Sequence, residues 1–174
     1  GNGIEKLLHR AITNDIDGEA EDKLFEKAYI SFMDIYNKNM CVKSVCYPGV
    51  REGIDYLKEK GFIIGCVTNK SDQFVRPILE KLGLIDDMSI IIAGDTLPKK
   101  KPDPLPLLHA ASFFETDPKN SLMIGDSVND VKAARAANFQ IVCVSYGYNH
   151  GNDILDTNPD AVIDSLADLP QLFN

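Results

Sequence analysis

The chain has 174 residues, 44% of them hydrophobic, and a formal charge of −8. That composition supports one cored domain, or one domain with a small appendage, and its acidity disfavours nucleic acid or an anionic membrane as the main partner. The apolar runs fall well short of a membrane span and no secretory leader pattern is present, so the cytoplasm is the expected compartment.

Residues 4–12 place Ile4, Leu7, Leu8 and Ile12 at helical spacing, and residues 20–37 repeat the pattern with Leu24, Phe25, Ala28, Phe32 and Ile35. This helical start runs to residue 46, where Tyr47-Pro48-Gly49 punctuates the chain. From Val50 the texture changes. A helix over 50–60 closes at Gly61 and leads into a strand over 62–67. A helix opened by Ser71, a strand over 89–93 and a Lys/Pro loop over 98–104 follow, then a helix to Phe114. The strand 121–125 feeds the Ala-rich helix 131–137; next come a strand over 140–144, a short apolar piece 161–163 and a last helix that Ser165 can cap. Such alternation predicts an α/β fold, a three-layer Rossmann-like parallel sheet with helices on both faces. Of the four cysteines, Cys66 and Cys143 fall inside core strands. Cys41 and Cys46 with His9 lack the four-ligand spacing of a structural zinc site, so buried, reduced thiols are expected.

If the strands are parallel, three polar groups share the edge at their carboxyl ends: Thr68-Asn69-Lys70 after 62–67, Lys101-Pro102-Asp103-Pro104 after 89–93, and Asp126 after 121–125. Asp126 and Asp130 are about one helical turn apart, and two converging carboxylates call for a cation; oxygen ligands suit Mg²⁺. The plainer reading makes Asp126 an N-cap and Asp130 a first-turn acid, and the turn alone leaves both open. Likewise Thr68 and Asn69 suit a turn, and Lys101 sits in a lysine run of the kind that usually faces solvent. Taken together, a hydroxyl, an ammonium and a metal-holding carboxylate at successive strand ends are what a phosphoryl group needs around it.

In these residues the chain resembles the haloacid dehalogenase superfamily, within it the phosphoglycolate phosphatase group. The resemblance rests on Tyr47-Pro48-Gly49-Val50, Val67-Thr68-Asn69-Lys70, Lys101-Pro102-Asp103-Pro104 and Gly125-Asp126-Ser127-Val128-Asn129-Asp130 in that order, with Tyr146-Gly147-Tyr148-Asn149 as a further match, and runs from Gly1 over essentially the whole chain. It implies a partial α-helical cap over 1–46 and an α/β core over 47–174. The family's first motif, a strand ending in Asp-x-Asp that carries the nucleophile and the acid/base, has no counterpart. Asp15-Ile16-Asp17-Gly18 imitates it but follows a helical pattern with no apolar strand, so Asp17 is read as a decoy between cap helices. The expectation is a chain that starts partway through a longer protein, inactive alone.

The resemblance implies hydrolysis of a small phosphomonoester, most like 2-phosphoglycolate, through an aspartyl phosphate. In that scheme Asp126 ligates Mg²⁺, Asp130 stands in the second shell or reaches the metal through water, Thr68 donates to phosphoryl oxygen with Asn69 in support, and Lys101 neutralises nucleophile and phosphate. His9 or Arg10 is a lesser candidate for a substrate carboxylate, a solvated helix face being the plainer role. A receiver-type domain is disfavoured by the order Thr, Lys, Asp, and a dinucleotide-binding domain by the absence of G-x-G-x-x-G after a strand. A metal-free dehalogenase is disfavoured by the Gly-Asp-x-x-x-Asp turn. A phosphomutase of the same superfamily, a nucleophile-free phosphate or Mg²⁺ module, and a subunit completed in trans stay as alternatives.

Overall fold

The computed structural model describes residues 2–149 and 151–173; Gly1, where the resemblance begins, lies outside them. The order is α1 (Ile4–Thr13), α2 (Asp22–Asn39), α3 (Val50–Glu59), β1 (Gly65–Val67), α4 (Asp72–Lys81), β2 (Ile90–Ile92), α5 (Leu105–Phe113), β3 (Leu122–Gly125), α6 (Val128–Ala137), β4 (Gln140–Val144) and β5 (Ala161–Ile163). A 3₁₀ segment, Leu166–Leu172, follows Ser165, which caps it through a reciprocal box with Asp168.

All pairings are parallel, in two ladders, β1–β2 and β3–β4–β5. Side-chain alternation along β4 sorts the layers. Ile141 and Cys143 join Leu107 and Ala111 of α5 and Val131, Ala134 and Ala137 of α6, whereas Val142 and Val144 join Leu57 of α3, Ile163 and Leu169 on the opposite face. Small residues let α6 lie close to the sheet, with Ala133 and Ala134 fully buried.

The first strand is shorter than the sequence pattern implies. Phe62 and Ile63 stay exposed, and only Gly65–Val67 pairs, against Ile90–Ile92. Gly65 is needed there because a Cβ would strike Ile90 at 2.8 Å. The strand read over 89–93 is likewise trimmed to Ile90–Ile92.

Helices α1 and α2 pack on each other ahead of the sheet. His9 stacks on Phe25 at 4.2 Å, and its Nδ1 accepts the Ala20 amide at 3.0 Å, which places the proton of neutral His9 on Nε2. Arg10 Nε donates to Ile16 O at 2.6 Å. His9 and Arg10 thus both hold the loop between the two helices. Asp15 and Asp17 sit in that loop, exposed, with the Asp17 amide donating to Asp15 Oδ1 at 2.9 Å. The segment is a local Asx turn and is attached to no strand.

Candidate active site

The site is built where β1, β2 and β3 end. Thr68 and Asn69 leave β1, with the Thr68 amide donating to Ile92 O at 2.9 Å. The loop after β2 returns at once, and the Gly94 amide donates to Lys70 O at 2.8 Å. Gly94 is required because a Cβ would collide with the Asn69 carbonyl. Asn69 Nδ2 then donates to Lys101 O at 2.8 Å, tying the second loop to the first.

Lys101 is the centre of the arrangement. Only 9% exposed, its Nζ donates to Val67 O at 2.6 Å and to Asp130 Oδ1 at 2.7 Å. The lysine-run reading as a solvated face therefore fails for Lys101, although it suits Lys99, which pairs with Asp103 at 3.0 Å on the surface. The ammonium bridges the ends of the two separate ladders, because Val67 closes β1 and Asp130 follows β3.

Asp130 is saturated. Its Oδ2 accepts the amides of Asp126 at 3.2 Å and Ser127 at 3.1 Å and the Ser127 hydroxyl at 2.7 Å, while Oδ1 takes Lys101. Burial pushes its pKa upward, but the Lys101 charge and hydrogen bond, the Ser127 hydroxyl and the Asp126 amide outweigh that and leave it below the usual carboxylate range. The first-turn reading of Asp130 is thereby correct in part: it is the N3 member of a capping box. The N-cap, however, is Ser127, not Asp126.

Asp126 is consequently released from capping. Its Oδ2 accepts the Tyr148 amide at 3.0 Å. Asn149, 8% exposed, accepts the Val128 amide on Oδ1 at 2.9 Å, so the loop after β4 both aims Asp126 and satisfies the first turn of α6. Gly147, at φ 140°, approaches so closely that a Cβ would lie 2.5 Å from the Asp126 carboxylate. Sequence spacing does not mark Ser127, Gly147 or Asn149 as site-building residues; the Ser-x-x-Asp box at 127–130 is the one signal, and it points to Ser127. Asp126, Ser145, Gly147, Asn149 and Asp153 line a cavity of about 420 Å³ beside this turn.

Thr68 Oγ1 accepts the Lys70 amide at 3.2 Å, a local turn bond that leaves its hydrogen available to a ligand. Thr68, Asn69, Lys101, Asp126 and Asp130 thus occupy one edge, with Asn69–Lys101 and Lys101–Asp130 in direct contact. As a donor set for a hard cation, Asp126 supplies carboxylate oxygen. Among the described residues no group of three or more His, Cys, Asp or Glu side chains converges. The Asp126 carboxylate by itself is an oxygen donor of the kind a hard cation takes, with the rest of such an ion's ligands left to come from outside this donor set.

A three-layer α/β protein with a lysine-centred polar edge is the class that fold and site define. The haloacid dehalogenase-like hydrolase family model matches residues 5–144. Over 174 residues the chain is 56% identical to a phosphoglycolate phosphatase of Nitrosococcus oceani, covering 100% of this chain and 77% of that protein. It is 46% identical to a phosphoglycolate phosphatase of Nitrosospira multiformis, covering 99% and 76% respectively. A crystal structure described as a predicted phosphoglycolate phosphatase from Haemophilus somnus superposes with a TM-score of 0.92 at 34% identity, covering 100% of this chain and 79% of that one. The chain belongs to the haloacid dehalogenase-like hydrolase family. Among the described residues no helix is long and apolar enough to cross a membrane.

Proposed function

We propose that the full-length protein hydrolyses a small phosphomonoester, with 2-phosphoglycolate as the favoured substrate, in a Mg²⁺-dependent reaction through an aspartyl phosphate. The observation that carries this reading is the buried Lys101 ammonium fixed between Val67 O and Asp130, beside the loop of Thr68. A buried cation held by strand ends is preorganised for a phosphoryl group and costs no rearrangement when charge develops there. The names of the relatives support the substrate.

In this reading Thr68 Oγ1–H donates to a phosphoryl oxygen, Asn69 holds the Lys101 backbone in place, and Lys101 offsets the charge of phosphate and attacking carboxylate. Asp126 holds the metal, which when bound supplies further charge to the phosphoryl oxygens. Asp130 acts through Lys101 and the Asp126 amide and does not touch the ion directly, since its oxygens are occupied. The attacking carboxylate is not among the described residues. Asp17 is excluded from that role by its exposed loop, and the helical hairpin α1–α2 acts as the cap.

Two measurements on the full-length polypeptide test this. Turnover of 2-phosphoglycolate with Mg²⁺, lost on chelation and by Asp126→Ala, is expected. Asp17→Asn should leave turnover unchanged; its loss in that variant, or the absence of any phosphatase activity, overturns the assignment.

A further inference from the structure

Lys70 is a cation at the same edge that the phosphoryl scheme leaves unused. Its backbone is fixed at both ends, the amide on Thr68 Oγ1 at 3.2 Å and the carbonyl by the Gly94 amide at 2.8 Å. Its side chain leaves the sheet edge and reaches α2, where Nζ donates to the Tyr36 hydroxyl at 2.6 Å and lies 5.1 Å from the ring centroid. Tyr36 is itself clamped. Phe32 stacks on it at 5.2 Å, and Phe74, fully buried at the start of α4, meets it edge-on at 4.9 Å. The pair therefore has a set position between the helical hairpin and the loop of Thr68.

The charge balance at this position differs from that of Lys99 and Lys101, and resembles that of Lys100, whose Nζ donates to Asn2 O at 3.2 Å. Lys99 is matched by Asp103 and Lys101 by Asp130. Lys70 meets a neutral phenol oxygen, and among the described residues no carboxylate pairs with it. Because the Tyr36 oxygen accepts from Lys70, its own O–H is directed elsewhere, and two Lys70 N–H groups remain beside it. An exposed ammonium and a phenolic hydroxyl brought together from two elements are donors of the kind a carboxylate accepts.

We propose that Lys70 and Tyr36 receive a carboxylate on the substrate's leaving group, making the site selective for short phosphomonoesters that carry a second anion. This inference rests on the phosphomonoesterase reading above and adds the specificity-determining pair. Phosphate recognition by Thr68 and Lys101 is common to any ester; discrimination among esters falls to groups that contact the leaving portion, and Lys70 is the cation next to Thr68 on the side of the hairpin.

The test titrates the full-length polypeptide calorimetrically, with Mg²⁺ present, using two phosphonates that cannot be hydrolysed: 3-phosphonopropionate and propylphosphonate. They differ by a carboxylate in place of a methyl group. The wild type should bind the carboxylated probe roughly tenfold tighter, as a charge-assisted pair allows. Lys70→Met should abolish that ratio while propylphosphonate and inorganic phosphate bind as before, and Tyr36→Phe should reduce it by about threefold, the loss of one neutral donor. Equal binding of the two probes by the wild type, or a ratio that survives Lys70→Met, overturns the proposal while leaving the phosphatase reading intact. Failure of inorganic phosphate and both phosphonates to bind overturns both together.

Discussion

Lys101 Nζ and Asp130 Oδ1 lie 2.7 Å apart with 9% and 6% of their side chains exposed, joining the loop after β2 to the first turn of α6 across 29 residues. A buried ion pair of this kind contributes modestly to net stability, but removing one partner strands the other charge. Lys101→Met should therefore destabilise the fold by about 3–5 kcal/mol and abolish turnover. The double variant Lys101→Met/Asp130→Asn should regain part of the stability and none of the turnover. Urea midpoints read beside rates separate the two effects.

Acid should weaken the fold in a defined way. The folded pKa of Asp130 is depressed, and so is that of Asp87, which Lys58 and Arg51 hold down through hydrogen bonds at 2.6 Å each. A lowered folded value means that the unfolded chain binds protons first, so this stability is complete above the ordinary carboxylate range near pH ~4 and is lost as pH falls through the lower folded values. Salt should erode the Asp87 share, because Arg51 and Lys58 are 44% and 50% exposed, and leave the buried Asp130 share. Thermal midpoints against pH at low and high salt, with Asp130→Asn as the comparison, measure the division.

On the reading that gives Asp126 to a metal, Gly147→Ala should impair metal binding by displacing the Asp126 carboxylate. A methyl group there would lie 2.5 Å from Asp126 on a backbone at φ 140°, which L residues rarely adopt. The expected result is a loss of about 10–100-fold in Mg²⁺ affinity, the scale of groups that orient a metal ligand. An unchanged Mg²⁺ titration would remove Asp126 from the metal site.

The four thiols are free, but only Cys143 is fully buried; Cys41, Cys46 and Cys66 are partly exposed, against the expectation of buried thiols, and their reactivity should divide by how strongly burial holds the proton on. Burial, followed by the Asp130 and Asp126 carboxylates, pushes Cys143 up to about 11, and burial raises Cys66. Ellman's reagent at neutral pH is expected to modify Cys41 and Cys46 first, with Cys66 and Cys143 reacting only on unfolding. Early labelling of Cys143, followed by mass spectrometry, would show that the α6 face opens in the native state.

The pattern of elements was legible because each depends on local periodicity. β4 and β5 appear at the residues that the apolar runs mark, since both faces of β4 are covered and its side chains after the exposed Gln140 are all apolar. β1 was overextended because Phe62 and Ile63 have strand composition but no pairing partner; their exposure follows from where the ladder to β2 begins. The site divided along the same line. Thr68, Lys101 and Asp126 were found as groups that follow successive strands, which parallel topology brings to one edge.

Sequence by itself determined the parallel α/β alternation, the order of the polar motifs and the identity of the groups offered at the strand ends, because hydrophobic spacing and strand-to-helix turns are local properties. Only the tertiary structure decided what each group does. Ser127 takes the capping role and frees Asp126, Asn149 supplies a distant acceptor to the Val128 amide, and Lys101 is withdrawn from its surface run into a buried pair. Those outcomes turn on which partners lie within about 3 Å once separate loops meet, a distance that no single stretch of chain encodes.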